Sequence, residues 1–86
     1  MAMVTIRYWA AAKDAAGMPE ESVEAVTLAG ALAAVLATRQ RDDRLRQVIS
    51  RSSFLVNALP ARRGTHEQIL LDEGTTIEVL PPFAGG

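Results

Sequence analysis

Cysteine is absent from the 86 residues. That one absence excludes a disulfide framework, a thiolate zinc site and a cysteine nucleophile, and it leaves oxidising and reducing compartments equally open. Aromatic residues are scarce, with one tryptophan, one tyrosine and two phenylalanines. The single histidine, His66 in "GTHEQI", has no cysteine partner, so it reads as a surface-loop histidine and no metal site is expected. An excess of either charge is missing too. The formal net charge of −1 exerts no global pull toward nucleic acid or an anionic membrane, and neither is expected as a partner. The opening "MAMVTIRYW" lacks the basic start and apolar run of a signal peptide, and no stretch has membrane-spanning length, so cytoplasmic residence is the default expectation. "GALAAVLA" lacks the lysine and hydroxyl of a phosphate loop, so no nucleotide cofactor is expected on this chain.

What is present is an ordinary globular composition, 49% apolar and 22% charged. The length is that of one small domain, with little room for a large active-site cleft. Val4, Ile6 and Tyr8 alternate with Thr5 and Arg7, the period-two pattern of a half-buried strand. "AAAKDAAGMP" reads as a wide turn or a single helical turn stopped by Gly17 and Pro19. "ESVEAVTL" resumes a strand. Thr27 is a suitable N-cap for an amphipathic helix through "TLAGALAAVLATRQ", with Leu28, Leu32, Val35 and Leu36 at helical spacing and Gly30 in the first turn. Leu45, Val48 and Ile49 suggest a second short helix or a continuation after a kink. "SFLVNAL" reads as a strand ending in a turn where Asn57 supplies local backbone bonding, and "TTIEVL" is the last strand, ended by Pro81. The order predicts an α+β domain in which one sheet packs on one main helix. Residues 1–80 form that domain and 81–86 an extended, flexible tail.

The charged residues offer little chemistry. Glu20–Glu21 and Asp42–Asp43 are adjacent pairs that point apart in extended chain, and both read as solvated charges. Arg39, Arg41, Arg44, Arg46 and Arg51 form a basic cluster without stacking aromatics, which reads as a solvated helix face first and a docking site for an acidic partner second. Trp9 falls out of phase with Val4, Ile6 and Tyr8, so its indole is expected on the opposite side of the sheet.

The informative segment is the last one, "PPFAGG". Pro81 and Pro82 stiffen the stem, which lowers the entropic cost of ordering it in a partner. Phe83 offers one apolar anchor, while Ala84, Gly85 and Gly86 taper so that no side chain crowds the final carboxylate. At about 3.3 Å per residue six positions reach on the order of 20 Å, enough to enter a neighbouring protein's active site. The reactive group is then the main-chain carboxylate of Gly86. It becomes an electrophile once its oxygen is a leaving group, as in an acyl-adenylate, and an anionic sulfur species can displace AMP to leave a thiocarboxylate.

"LPPFAGG", "IRYWAAAKDAAG", "FLVNAL" and "LDEGTTIEVL" together resemble MoaD, the small sulfur-carrier subunit of molybdopterin synthase, within the ThiS and MoaD group of ubiquitin-like proteins. The resemblance implies a β-grasp fold, with the tail inserted into a MoaE-like large subunit in a heterotetramer, where sulfur passes to cyclic pyranopterin monophosphate and builds the dithiolene. It implies a MoeB-like adenylyltransferase that uses ATP to load Gly86, and it leaves the side chains that catalyse transfer to the large subunit. The chain alone is not expected to be an enzyme. By position in the match, Trp9 and Leu80 are the apolar docking patch and Lys13 a polar rim contact, beside the tail residues Pro81, Pro82, Phe83, Ala84 and Gly85. Two departures stand out: Ala58 follows Asn57 where relatives often place glycine, and Phe83 stands where a smaller apolar residue is common. The alternatives are a ThiS-like carrier for thiazole synthesis, a carrier for cysteine biosynthesis or tRNA thiolation, and a β-grasp adaptor with no covalent step.

Overall fold

A computed structural model describes residues 1–39 and 43–82. Strand β1 (Ala2–Tyr8) buries Ala2, Val4, Ile6 and Tyr8 and turns Met3, Thr5 and Arg7 the other way, as the alternation requires. It lies beside β2 (Glu20–Ala25) in antiparallel register, Val4 opposite Val23, and beside β5 (Thr76–Leu80) in parallel register, Ile6 opposite Ile77. β3 (Ser53–Val56) pairs antiparallel with β5 and with the short β4 (Leu59–Pro60), giving the order β2-β1-β5-β3-β4. This is the ubiquitin-like β-grasp arrangement, with both chain-terminal strands at its centre.

Three helices, where the pattern predicts one main helix and a short second, share the inner face of the sheet. Helix α1 (Ala10–Ala16) runs for two turns instead of one; it buries Ala12, Ala15 and Ala16 and ends at Gly17, left-handed at φ 78°. The methyl groups let α1 approach the sheet closely, which a larger apolar residue would prevent. Helix α2 (Leu28–Ala37) buries Leu28, Ala31, Leu32 and Val35, and α3 (Asp43–Arg51) buries Leu45 and Ile49. With Phe54, Leu71, Ile77 and Val79 they form one continuous core.

The start of α2 accounts for each of its first donors. Leu28 and Ala29 donate their N–H groups to the carbonyls of Ile69 and His66, and Gly30 donates to the Thr27 hydroxyl at 3.0 Å. A Cβ on residue 30 would stand 3.3 Å from that hydroxyl, so the glycine keeps space for the cap.

Two readings of charge are corrected. Glu21 is not solvated: its carboxylate accepts the Tyr8 hydroxyl proton at 2.6 Å and meets the Arg39 guanidinium at 2.7 Å. Arg39 correspondingly leaves the basic cluster, tying the end of α2 to β2 and reaching the Ala16 carbonyl at 3.4 Å. Arg44, Arg46 and Arg51 remain exposed on α3, while Arg41 and Asp42 lie outside the described residues. Asn57 is also different from expectation, because its bonding is not local. Its N–H donates to the Thr76 carbonyl at 2.8 Å and its side-chain oxygen accepts from the Thr76 N–H at 3.0 Å, extending the β3–β5 ladder by a residue.

Asn57 and Ala58 form the two-residue turn between β3 and β4, and both are left-handed, at φ 48° and 69°. Asparagine tolerates this region; alanine does so only at a cost, because its Cβ crowds the backbone. Ala58→Gly is expected to stabilise the domain by roughly 0.5–1 kcal/mol, and Asn57→Ala to destabilise it by about 1–2 kcal/mol, both read from urea unfolding.

Burial, then the hydrogen bond to Glu21 and its negative charge, push the Tyr8 phenol well above the ordinary tyrosine range. The folded state therefore holds this proton more tightly than the unfolded chain does. Its contribution is intact at pH values below the unfolded tyrosine value of about 10 and declines above it, by at most about 1.4 kcal/mol per pH unit. Unfolding free energies measured between about pH 8 and about pH 11 should show that decline in the wild type and not in Tyr8→Phe.

Candidate functional site

The parallel pairing of β1 with β5 sets Tyr8 opposite Val79 in the core. The residues that follow each, Trp9 and Leu80, emerge next to one another on the outer side. Trp9 is past the end of β1 and serves as the N-cap position of α1, with extended backbone angles. Its N–H donates to the Val79 carbonyl at 3.3 Å, and its own carbonyl accepts from Ala12 at 3.0 Å and Lys13 at 3.4 Å. The backbone of Trp9 is thus held by strand and helix at once, and its side chain is 43% exposed.

Arg7 adds a lateral support. Its guanidinium carbon lies 5.2 Å from the indole centroid, within cation–π range, and its Nε sits 3.9 Å from a Glu20 carboxylate oxygen. The ion pair is solvent-exposed and adds little stability. The stack confines an indole that would otherwise sample several rotamers.

Ala10, the first residue of α1, adopts φ 49°. A left-handed alanine is strained by about 1–2 kcal/mol, and strain of this kind concentrates where the surrounding structure uses the conformation. Here it turns the chain sharply from β1 into α1 and leaves only a methyl group beside the indole. Trp9, Ala10, Leu80 and Pro81 line an open apolar hollow of about 270 Å³. Lys13, four residues after Trp9, is exposed on α1.

The structure therefore gathers three of the residues singled out in the sequence, Trp9, Leu80 and Pro81, with Pro82 exposed just beyond, while Lys13 is not among the residues that line the hollow. Phe83, Ala84, Gly85 and Gly86 lie outside the described residues. Arg7 and Ala10 were not legible as site residues. Arg7 follows from strand alternation only once Trp9 is known to share its face, and a positive φ at alanine leaves no compositional signal. His66 is half-buried and meets the Phe54 ring edge-on at 5.1 Å, a packing role. Among the described residues no three His, Asp or Glu side chains group as metal ligands, and no helix is long and apolar enough to cross a membrane.

Solved structures with the same fold include the small archaeal modifier protein 1 of Methanosarcina acetivorans, 24% identical with a TM-score of 0.82, covering 100% of this chain and 98% of that one. The putative molybdopterin converting factor subunit 1 of Pyrococcus furiosus is 17% identical with a TM-score of 0.76, over 96% of this chain and 100% of that one. The complex of subunits 1 and 2 of molybdopterin-converting factor from Helicobacter pylori matches at 24% identity and a TM-score of 0.69, over 98% of this chain and 99% of that one. No curated protein sequence matches. The model of the ThiS family matches residues 6–86, nearly the whole length, and the chain belongs to that family.

Proposed function

We propose that this chain is a MoaD-like sulfur carrier of molybdenum cofactor biosynthesis whose working atom is the C-terminal carboxyl group of Gly86. The observation that carries the reading is the delivery of the Pro81–Pro82 stem from a central strand, beside the exposed hollow of Trp9, Ala10 and Leu80. A partner that grips the stem meets that hollow first. The domain then acts as a handle, and the tail as the group presented for chemistry.

In this reading the Gly86 carboxylate attacks the α-phosphorus of ATP in a MoeB-like adenylyltransferase, releasing pyrophosphate and forming an acyl-adenylate. A hydrosulfide equivalent adds to the acyl carbon and AMP leaves with the bonding electron pair, so the product is a thiocarboxylate. In a MoaE-like large subunit the thiocarboxylate sulfur bonds to a carbon of cyclic pyranopterin monophosphate as a carbon–oxygen bond there breaks, and water then hydrolyses the acyl–sulfur bond, leaving sulfur on the pterin and restoring the Gly86 carboxylate. The protein's own share is geometric: stiffness from the prolines, and an unhindered carboxyl from glycine, which lets narrow active sites close around it. Partner surfaces supply the charge stabilisation. The Helicobacter pylori structure, a complex of subunits 1 and 2 of the converting factor, supports a two-subunit assembly.

The resemblance to a small archaeal modifier protein supports a second reading of the same activation, in which an amine of another protein displaces AMP and an amide forms. A ThiS-like carrier for another sulfur pathway shares the first two steps and differs only in the acceptor.

Incubation with ATP, the cognate adenylating enzyme and a sulfur donor is expected to change the intact mass by one oxygen-for-sulfur exchange, and appending a residue after Gly86 should abolish it. An unchanged mass beside a demonstrably active enzyme overturns the proposal; covalent conjugates of higher mass in place of the exchange favour the second reading.

Trp9→Asp and Leu80→Asp place an unpaired carboxylate in the proposed interface and should each weaken binding to the large subunit by about 2–4 kcal/mol. Calorimetric titration measures the loss, and circular dichroism checks that both variants remain folded. Wild-type affinity in folded variants would move the docking face elsewhere.

A further inference from the structure

A second hollow opens on the other side of the tail's stem. Helix α3 presents Arg44, Gln47, Val48 and Arg51 at helical spacing along one face, and that face borders a groove of about 240 Å³. Its remaining walls are Ala11 of α1 and the two stem prolines, Pro81 and Pro82. The groove exists because Ala11, exposed on an alanine-rich helix, carries only a methyl group where a longer side chain would fill the space.

Charge is distributed unevenly around it. On α3 three arginines stand against one aspartate, Asp43, in a chain whose formal net charge is only −1. The outer face of β2 and β5 instead carries Glu20, Glu24 and Glu78. Arg44 and Arg51 both line the groove, two helical turns apart, together with Gln47, Val48 and the prolines, and a guanidinium fork recognises a carboxylate well.

We infer that this groove receives an acidic segment of the enzyme that adenylates the tail, so that the stem is clasped from both sides: Trp9 and Leu80 on one, Arg44 and Arg51 on the other. The inference rests on the proposed function, because only a protein that holds the stem passes over the groove. The spacing specifies the ligand further. Seven residues of helix separate the two arginines by about 10.5 Å, too far for one carboxylate to bridge. Two acidic side chains about 10 Å apart on one face match it, seven residues apart in a helix or three apart in a polyproline-type segment. Val48 and the prolines take an apolar side chain between them.

Binding of the cognate adenylating enzyme, measured by calorimetry at about 0.05 M and about 0.5 M salt, tests this directly. Arg44→Glu and Arg51→Glu are each expected to bind roughly tenfold or more weakly at low salt and to lose much of the wild type's salt dependence. Arg46→Glu carries the same charge change on an exposed α3 residue outside the groove and is expected to bind nearly as the wild type does. Equal affinity for wild type and both groove variants overturns the inference, as does an equal loss in Arg46→Glu, which would reduce the effect to overall charge. Lack of binding by the wild type would instead remove the functional reading beneath it, and is distinguished by adenylation of the tail in the same mixture.

Discussion

The parallel contact between β1 and β5 is the constraint on which the rest of the molecule depends. It brings the first and last strands together at the centre of the sheet, and being parallel it makes both end at the same edge. Trp9 and Leu80 are neighbours for that reason alone, although they stand 71 positions apart in sequence. An antiparallel contact would send the stem prolines to the opposite edge, away from the indole. Everything between these strands serves to close the connection. β2 flanks β1, the helices cover the apolar side, and the β3–β4 hairpin flanks β5.

The polar interactions fall into two kinds with different consequences. The triad of Tyr8, Glu21 and Arg39 is sheltered, with the Arg39 and Glu21 side chains only 13% and 18% exposed, and it fastens α2 to the sheet where α1 ends. The stack of Arg7 on Trp9 is exposed and shapes a surface instead of holding a core. Both use arginine, because a planar guanidinium can fork toward a carboxylate or lie flat on a ring.

Local patterns in the sequence predicted most elements and failed where tertiary contacts decide. Alternation in "VTIRY" and the spacing of Leu28, Leu32 and Val35 are periodic signals, and strand and helix form there as expected. "AAAKDAAG" has no large apolar residue to mark a buried face, so its two full turns depend on alanines packed against a sheet that local reading does not see. Arg39 and Glu21 looked solvated because each is charged and 18 positions separate them; only the fold brings them together. For the candidate site, the phase of Trp9 placed its indole on the outer side of the sheet, and the structure brings Trp9 and Leu80 together there. The strain at Ala10, the support from Arg7 and the groove beside α3 depend on backbone angles and strand order, which composition does not encode.

The placement of β5 between two hydrogen-bonded neighbours also has a mechanical meaning. Any pull on the stem is transmitted through Pro81 along the axis of β5, which is bonded to β1 on one side and β3 on the other. Load applied along a strand shears its hydrogen bonds together, whereas load applied across an edge strand peels them one after another. A partner that drew this stem into a pocket, as in the proposed function, would therefore work against the strongest direction of the sheet.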